Sequence, residues 1–131
     1  MLRILIVDDS EPIRRRIETL LGSRQGWFVC GEAADGLQAV EGAKSLRPDL
    51  IIMDVSMPKM NGLDASRTIL REVPESRILI ISQNDPAIVR RQAAEAHAHG
   101  FLEKSNIQRD LIAAVVGILS GDGQSKTDKA S

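Results

Sequence analysis

Two aspartates, Asp8 and Asp9, close the apolar run Arg3-Ile4-Leu5-Ile6-Val7, and a third, Asp54, closes the run Leu50-Ile51-Ile52-Met53. If both runs are neighbouring parallel strands, their carboxylates gather at one edge of a sheet, where open α/β sheets place their ligands. Acids crowded into one cleft raise each other's pKa, so a site that keeps them ionised at neutral pH calls for a hard, oxygen-seeking cation such as Mg²⁺.

The rest of the chain agrees with such a sheet. Short apolar runs alternate with amphipathic stretches five times, the pattern of βα units. Strands are expected near 3 to 7, 27 to 33, 50 to 53, 77 to 82 and 100 to 103. The first helix starts at Ser10 as N-cap with Pro12 in its first turn, buries Ile13, Ile17, Leu20 and Leu21, and stops at Gly22. The second is capped by Asp35, carries Leu37, Val40 and Leu46, and ends before Pro48. The third runs from about Gly62 to Glu72. The fourth begins at Asp85-Pro86 and continues through an Ala-rich stretch to Gly100, and the fifth presents Ile107, Leu111, Val115, Ile118 and Leu119 at helical spacing. From 121 to 131 no large apolar residue occurs, which predicts a flexible polar tail or the start of a linker.

Composition excludes several classes. At 131 residues the chain is one domain, and 17 basic against 18 acidic residues leave a net charge of −1, with no footprint for nucleic acid or an anionic membrane. The short apolar run near the start, after a single Arg, fits neither a secretory signal nor a membrane span, so a cytoplasmic location is expected. Cys30, the single cysteine, is expected reduced and buried. His97 and His99 lie two apart, a poor spacing for a shared metal, and read as ordinary residues. Met53, Met57 and Met60 are expected to fill gaps in core and loop. The cluster Arg14-Arg15-Arg16 is either a solvated helix face or, beside an acidic pocket, an aid to docking a kinase's phosphotransfer domain.

Other strand ends add to the acids. After Asp54 the loop Val55-Ser56-Met57-Pro58-Lys59-Met60-Asn61-Gly62 carries turn residues. Ser82 ends the fourth strand, and Lys104 follows the fifth, Phe101-Leu102-Glu103. A carboxylate can attack phosphorus to form an aspartyl phosphate, and phosphoryl transfer depends on positioning and charge neutralisation. Asp8, Asp9, Asp54 and the Ser56 backbone carbonyl would hold Mg²⁺ or Mn²⁺. Lys104 would pair with Asp54 or the phosphoryl group, and Ser82 would hydrogen-bond a phosphoryl oxygen.

Taken in order, Asp8-Asp9, Met53-Asp54, Met57-Pro58-Lys59-Met60-Asn61-Gly62, Ser82, and Phe101 three residues before Lys104 resemble the receiver domains of bacterial two-component response regulators. The segment from Ala93 to Lys104 looks most like the NarL/FixJ-like subfamily, whose full-length members carry a C-terminal helix-turn-helix domain. The resemblance implies a receiver domain at 1–120 with a flavodoxin-like (CheY-like) (βα)5 three-layer sandwich, strand order 2-1-3-4-5. It implies Asp54 as phosphoacceptor, Asp8 and Asp9 as metal ligands, Ser82 and Phe101 as the switch pair, and Lys104 as the phosphoryl sensor. The implied donor is a sensor histidine kinase or histidine phosphotransfer protein. The implied output runs through the face made by the fourth helix, fifth strand and fifth helix, as homodimerisation or contact with another domain. A DNA-binding output domain would lie outside this chain and regulate transcription. Such a module is no enzyme beyond its own phosphorylation and dephosphorylation.

Two other classes fit the residues less well. An aspartyl-phosphate hydrolase needs a general acid two residues beyond the nucleophile, where Ser56 stands, and a cap insertion for which this length leaves no room. An interaction module that lost the switch would lack an acid or the lysine, and none is missing.

The sequence departs from the usual receiver pattern in three places: Ser105 replaces the proline that often follows the lysine, Phe101 carries no hydroxyl, and Gln83 follows the switch serine where a small residue or methionine is usual. A long polar side chain at 83 is expected to narrow access to Asp54, so Gln83→Ala should speed labelling by acetyl phosphate and also dephosphorylation. Rates that rise little or fall would refute that role.

Overall fold

The computed structural model describes residues 1–57 and 59–121. Pro58 of the expected turn, and the polar tail beyond Gly121, lie outside the described residues. Strands β1 (Leu2–Val7), β2 (Trp27–Ala33), β3 (Leu50–Asp54), β4 (Arg77–Ser82) and β5 (Gly100–Glu103) alternate with helices α1 (Glu11–Gly22), α2 (Gly36–Leu46), α3 (Gly62–Glu72), α4 (Pro86–Glu95) and α5 (Ile107–Leu119). A 3₁₀ turn, Lys104–Asn106, joins β5 to α5. All strand pairs are parallel, in the order β2-β1-β3-β4-β5.

Helices cover both faces, which is why the central strands read as unbroken apolar runs rather than alternating ones. Leu5, Val7, Ile51, Met53, Ile78 and Ile80 face α2, α3 and α4. Ile4, Ile6, Leu50, Ile52, Leu79 and Ile81 face α1 and α5, where Ile17, Leu21, Leu111 and Val115 meet them. Each of these fully buried side chains contributes about 2 kcal/mol to folding. Local chemistry starts the helices where the sequence predicts: Ser10 accepts from the Ile13 N–H, Asp35 from Gln38, Asn61 from Asp64 and Asp85 from Ala87.

Four expectations are corrected. Helix α4 stops at Glu95, not Gly100, because His97 adopts the left-handed conformation (φ 60°) and the His97 and Ala98 N–H groups turn back to the carbonyls of Ala94 and Ala93. The freed chain then crosses to the sheet, where His99 donates its N–H to the Ile78 carbonyl and accepts the Ile78 N–H on Nδ1 at 3.0 Å. Burial, reinforced by the charge of Arg77, lowers the His99 pKa and so favours the neutral ring this bond requires. Cys30 is half-buried, at the irregularity where β2 slips register against β1 between Ile4 and Leu5. Leu37 is 49% exposed, because α2 packs through Gly36, Ala39 and Ala43 instead. Leu119, at the end of α5, is 36% exposed.

The start of α3 is pressed onto the strand that carries Asp54. A methyl added at Gly62 would lie 2.0 Å from the Asp54 carbonyl oxygen, whereas one at Gly117 in α5 would meet nothing within 4 Å. Gly62→Ala is expected to lose about 3 kcal/mol in urea denaturation, and Gly117→Ala to gain about 1 kcal/mol from helix propensity. Equal effects would mean that the contact at Gly62 relaxes freely.

Candidate functional site

The sheet register assembles the site. Val7 pairs with Met53, so the next residues, Asp8 and Asp54, stand level at the carboxyl edge of two hydrogen-bonded strands. Ser82 ends β4 one strand further along, opposite Glu103, which delivers Lys104 into the 3₁₀ turn. Asp8, Asp54 and Ser82 are buried, and Asp9 is exposed.

Each buried carboxylate is held on one oxygen. Asp8 Oδ1 accepts the Ser10 N–H at 2.8 Å, and Asp54 Oδ1 accepts the Ser56 N–H at 3.4 Å. Their second oxygens meet no donor other than Lys104. Both face the Lys104 ammonium, with Nζ 2.8 Å from Asp8 Oδ2 and 3.3 Å from Asp54 Oδ2. Burial and the adjacent Asp8 push the Asp54 carboxyl up to about 6, against the opposing pull of Lys104 and the Ser56 N–H. Burial works against the Lys104 ammonium, but the contact with Asp8 and the charges of both acids outweigh it and raise its pKa.

One lysine therefore faces two buried acids, with a third beside them. Oxygens of Asp8, Asp9 and Asp54 lie within 4.8 Å of one another. Three converging carboxylates set against one ammonium, an all-oxygen donor set, fit a hard divalent cation. Alongside runs an open groove of about 440 Å³, lined in part by Asp9, Ser56, Asn61, Asn84 and Gln92.

The remaining residues singled out from sequence sit around this centre. The Ser82 hydroxyl accepts the Asn84 N–H at 3.0 Å. Phe101 pairs with Ile80 across the sheet and packs partly against the core beneath α4, with the Arg90 guanidinium 5.7 Å from its ring centroid. No cis peptide occurs among the described residues, so Lys104 and Ser105 are joined in trans. The arginine cluster divides: Arg14 and Arg15 are ion-paired with Glu32 of β2, and Arg15 also with Glu18. Sequence reading missed Glu32 and Gln92. Glu32 lies on a different element from the arginines, and only helical spacing within α4 marked Gln92 as inward-facing.

Fold and site together define an open α/β module with an acid- and lysine-lined pocket at the carboxyl edge of its sheet. The sequence matches the response regulator receiver domain over residues 4–116. It is 40% identical to a protein-glutamate methylesterase/protein-glutamine glutaminase of Alkalilimnicola ehrlichii, over 92% of this chain and 34% of that protein. It is 37% identical to the chemotaxis protein CheY of Thermotoga maritima, over 78% of this chain and 84% of that protein. The crystal structure of a LuxR-family two-component response regulator from Aurantimonas sp. SI85-9A1 superposes with a TM-score of 0.87 at 33% identity, covering 92% of this chain and 86% of that one. The chain belongs to the response regulator receiver domain family of two-component signalling. It spans about a third of the length of the methylesterase relative, so that protein's activity is not transferred with the likeness. Among the described residues, no helix is long and apolar enough to cross a membrane.

A carboxyl whose pKa is higher folded than unfolded destabilises the native state as pH climbs from the ordinary carboxylate range through about 6. In chelator, Asp54→Asn is expected to stabilise the protein by on the order of 1–3 kcal/mol at about pH 8, with the gain fading toward about pH 4. Urea denaturation at both pH values measures it. A variant less stable than the parent at the higher pH would show that Lys104 fully offsets the crowding of charge.

Proposed function

We propose that Asp54 is the phosphoacceptor of this receiver and takes its phosphoryl group from a sensor histidine kinase or histidine phosphotransfer protein. The observation that carries this reading is the single Lys104 ammonium set against the second oxygens of both Asp8 and Asp54. An Asp54 carboxylate oxygen attacks phosphorus, the bond from phosphorus to the donor's imidazole nitrogen breaks, and the imidazole leaves with the electron pair. Mg²⁺ or Mn²⁺, held by Asp8, Asp9, Asp54 and the Ser56 carbonyl, would neutralise charge on the phosphoryl oxygens. Lys104 supplies the protein's own positive charge beside Asp54. In dephosphorylation water attacks the same phosphorus, its bond to the Asp54 oxygen breaks and inorganic phosphate leaves; the same residues would serve that step, so the module catalyses its own phosphorylation and dephosphorylation.

The added charge also works the switch. Ser82 uses its hydroxyl oxygen to accept from Asn84 and keeps its proton for a phosphoryl oxygen. Drawn inward, Ser82 leaves room into which Phe101 turns by packing alone. The α4-β5-α5 face then shifts between two pre-existing conformations, to the extent that phosphorylation favours one of them. Ile88, Val116 and Leu119, exposed on α4 and α5, are suited to such a face. Output passes through it by homodimerisation or by contact with another domain. A DNA-binding domain outside this chain would make the output transcriptional, as the NarL/FixJ-like resemblance implies. The receiver is taken as residues 1–120, working in the cytoplasm where such kinases present their phosphotransfer domains.

Incubation with acetyl phosphate and Mg²⁺, followed by intact-mass measurement, should yield one phosphoryl adduct in the parent. Asp54→Asn should yield none, and chelation of Mg²⁺ should suppress labelling of the parent. Unchanged labelling of Asp54→Asn would put the chemistry on another residue.

A further inference from the structure

The two acids that follow β1 are held very differently. Asp8 is fixed on every side: its N–H donates to the Ala33 carbonyl, Oδ1 accepts from Ser10, and Oδ2 faces Lys104. Asp9 is exposed, and among the described residues its side chain makes no hydrogen bond or ion pair. Its carboxylate nevertheless lies with those of Asp8 and Asp54. Its position is therefore set by the backbone it leaves.

The peptide joining Asp8 to Asp9 supplies the aim. A peptide group is planar, so fixing its carbonyl direction also fixes the N–H and Cα of the following residue. The Asp8 carbonyl accepts a hydrogen bond from Arg14 Nη1 at 2.7 Å. Arg14 rises from the first turn of α1, where its N–H donates to the Ser10 carbonyl, and its Nε donates to Glu32 Oε1 at 2.8 Å. Its side chain is only 16% exposed. Glu32 in turn sits in β2, level with Ile6 of β1, and is shared with Arg15. The guanidinium thus ties α1, β2 and the acid-bearing turn together. Hydrogen bonds from Arg15 and then Arg14 hold the Glu32 carboxyl below its usual range, so this anchor stays charged at neutral pH.

We propose that Arg14, braced by Glu32, is a positioning residue of the metal site, orienting the Asp8–Asp9 peptide so that the Asp9 carboxylate faces the cation. The inference rests on the reading that Asp8, Asp9 and Asp54 hold Mg²⁺. Neither Arg14 nor Glu32 is a ligand. Their action follows the general behaviour of groups that orient metal ligands from outside, whose loss weakens binding by about 10- to 100-fold.

Coulomb's law and positioning predict opposite signs here. A guanidinium close to the site repels a divalent cation, so removing its charge would by itself tighten Mg²⁺ binding. Positioning predicts the reverse. Isothermal titration of the 131-residue chain with MgCl₂ separates them. Arg14→Met is expected to weaken Mg²⁺ binding about 10-fold, and Arg14→Lys to recover part of the loss. Glu32→Gln, which leaves Arg14 in place but slackens its anchor, is expected to weaken binding by about 3-fold. Acetyl phosphate labelling of Arg14→Met should return to the parental rate at saturating Mg²⁺, because the defect lies in holding the ion. Mg²⁺ binding by folded Arg14→Met as tight as the parent's, or tighter, overturns the proposal. Should that variant fail to fold by circular dichroism, unchanged binding by Glu32→Gln overturns it. Absence of Mg²⁺ binding by the parent, or undiminished binding by Asp9→Asn, would instead remove the metal reading itself and the inference with it.

Discussion

Two carboxylates buried at the carboxyl edge of adjacent strands repel each other and lose the solvation of water, and one ammonium stands against both. That imbalance of charge between Asp8, Asp54 and Lys104 organises the rest of the site. The excess of negative charge over the one ammonium makes the pocket receptive to a cation, and the raised Asp54 pKa expresses the same crowding from the proton's side. In the proposed reaction the same positive charge serves the phosphoryl group, so one electrostatic arrangement links resting stability, ion binding and transfer.

The scaffold keeps that arrangement from relaxing. Parallel pairing fixes Asp8 beside Asp54, and a slip by one residue would exchange the side chains packed under α2, α3 and α4 for those packed under α1 and α5, disrupting both cores. The start of α3, pressed onto the Asp54 peptide through Gly62, blocks the other direction of escape. Loops carry the chemistry, and the sheet denies them the freedom to spread the acids apart.

Much of this was legible in the chain because it rests on short-range signals. Apolar runs ended by acids, N-caps at Ser10, Asp35 and Asp85, and the stripes of α1 and α5 are patterns of near neighbours. The end of α4 was not legible: Ala93 to Ala98 contains no strong helix breaker, and His97 turns left-handed because the chain must reach its pairing with Ile78. Leu37 read as core by spacing alone, yet the small residues of α2 approach the sheet more closely and leave it outside.

The sequence by itself determined the βα alternation, the strand order by resemblance, and which acids, hydroxyl and lysine meet at one edge, since the side chain that follows a parallel strand has only one edge to occupy. Only the tertiary structure decided how they meet. It put a single lysine between two acids and turned Arg14 from a member of a basic cluster into a tie between Glu32 and the Asp8 carbonyl. Those outcomes join residues distant along the chain, so they depend on register and packing, which no local pattern encodes.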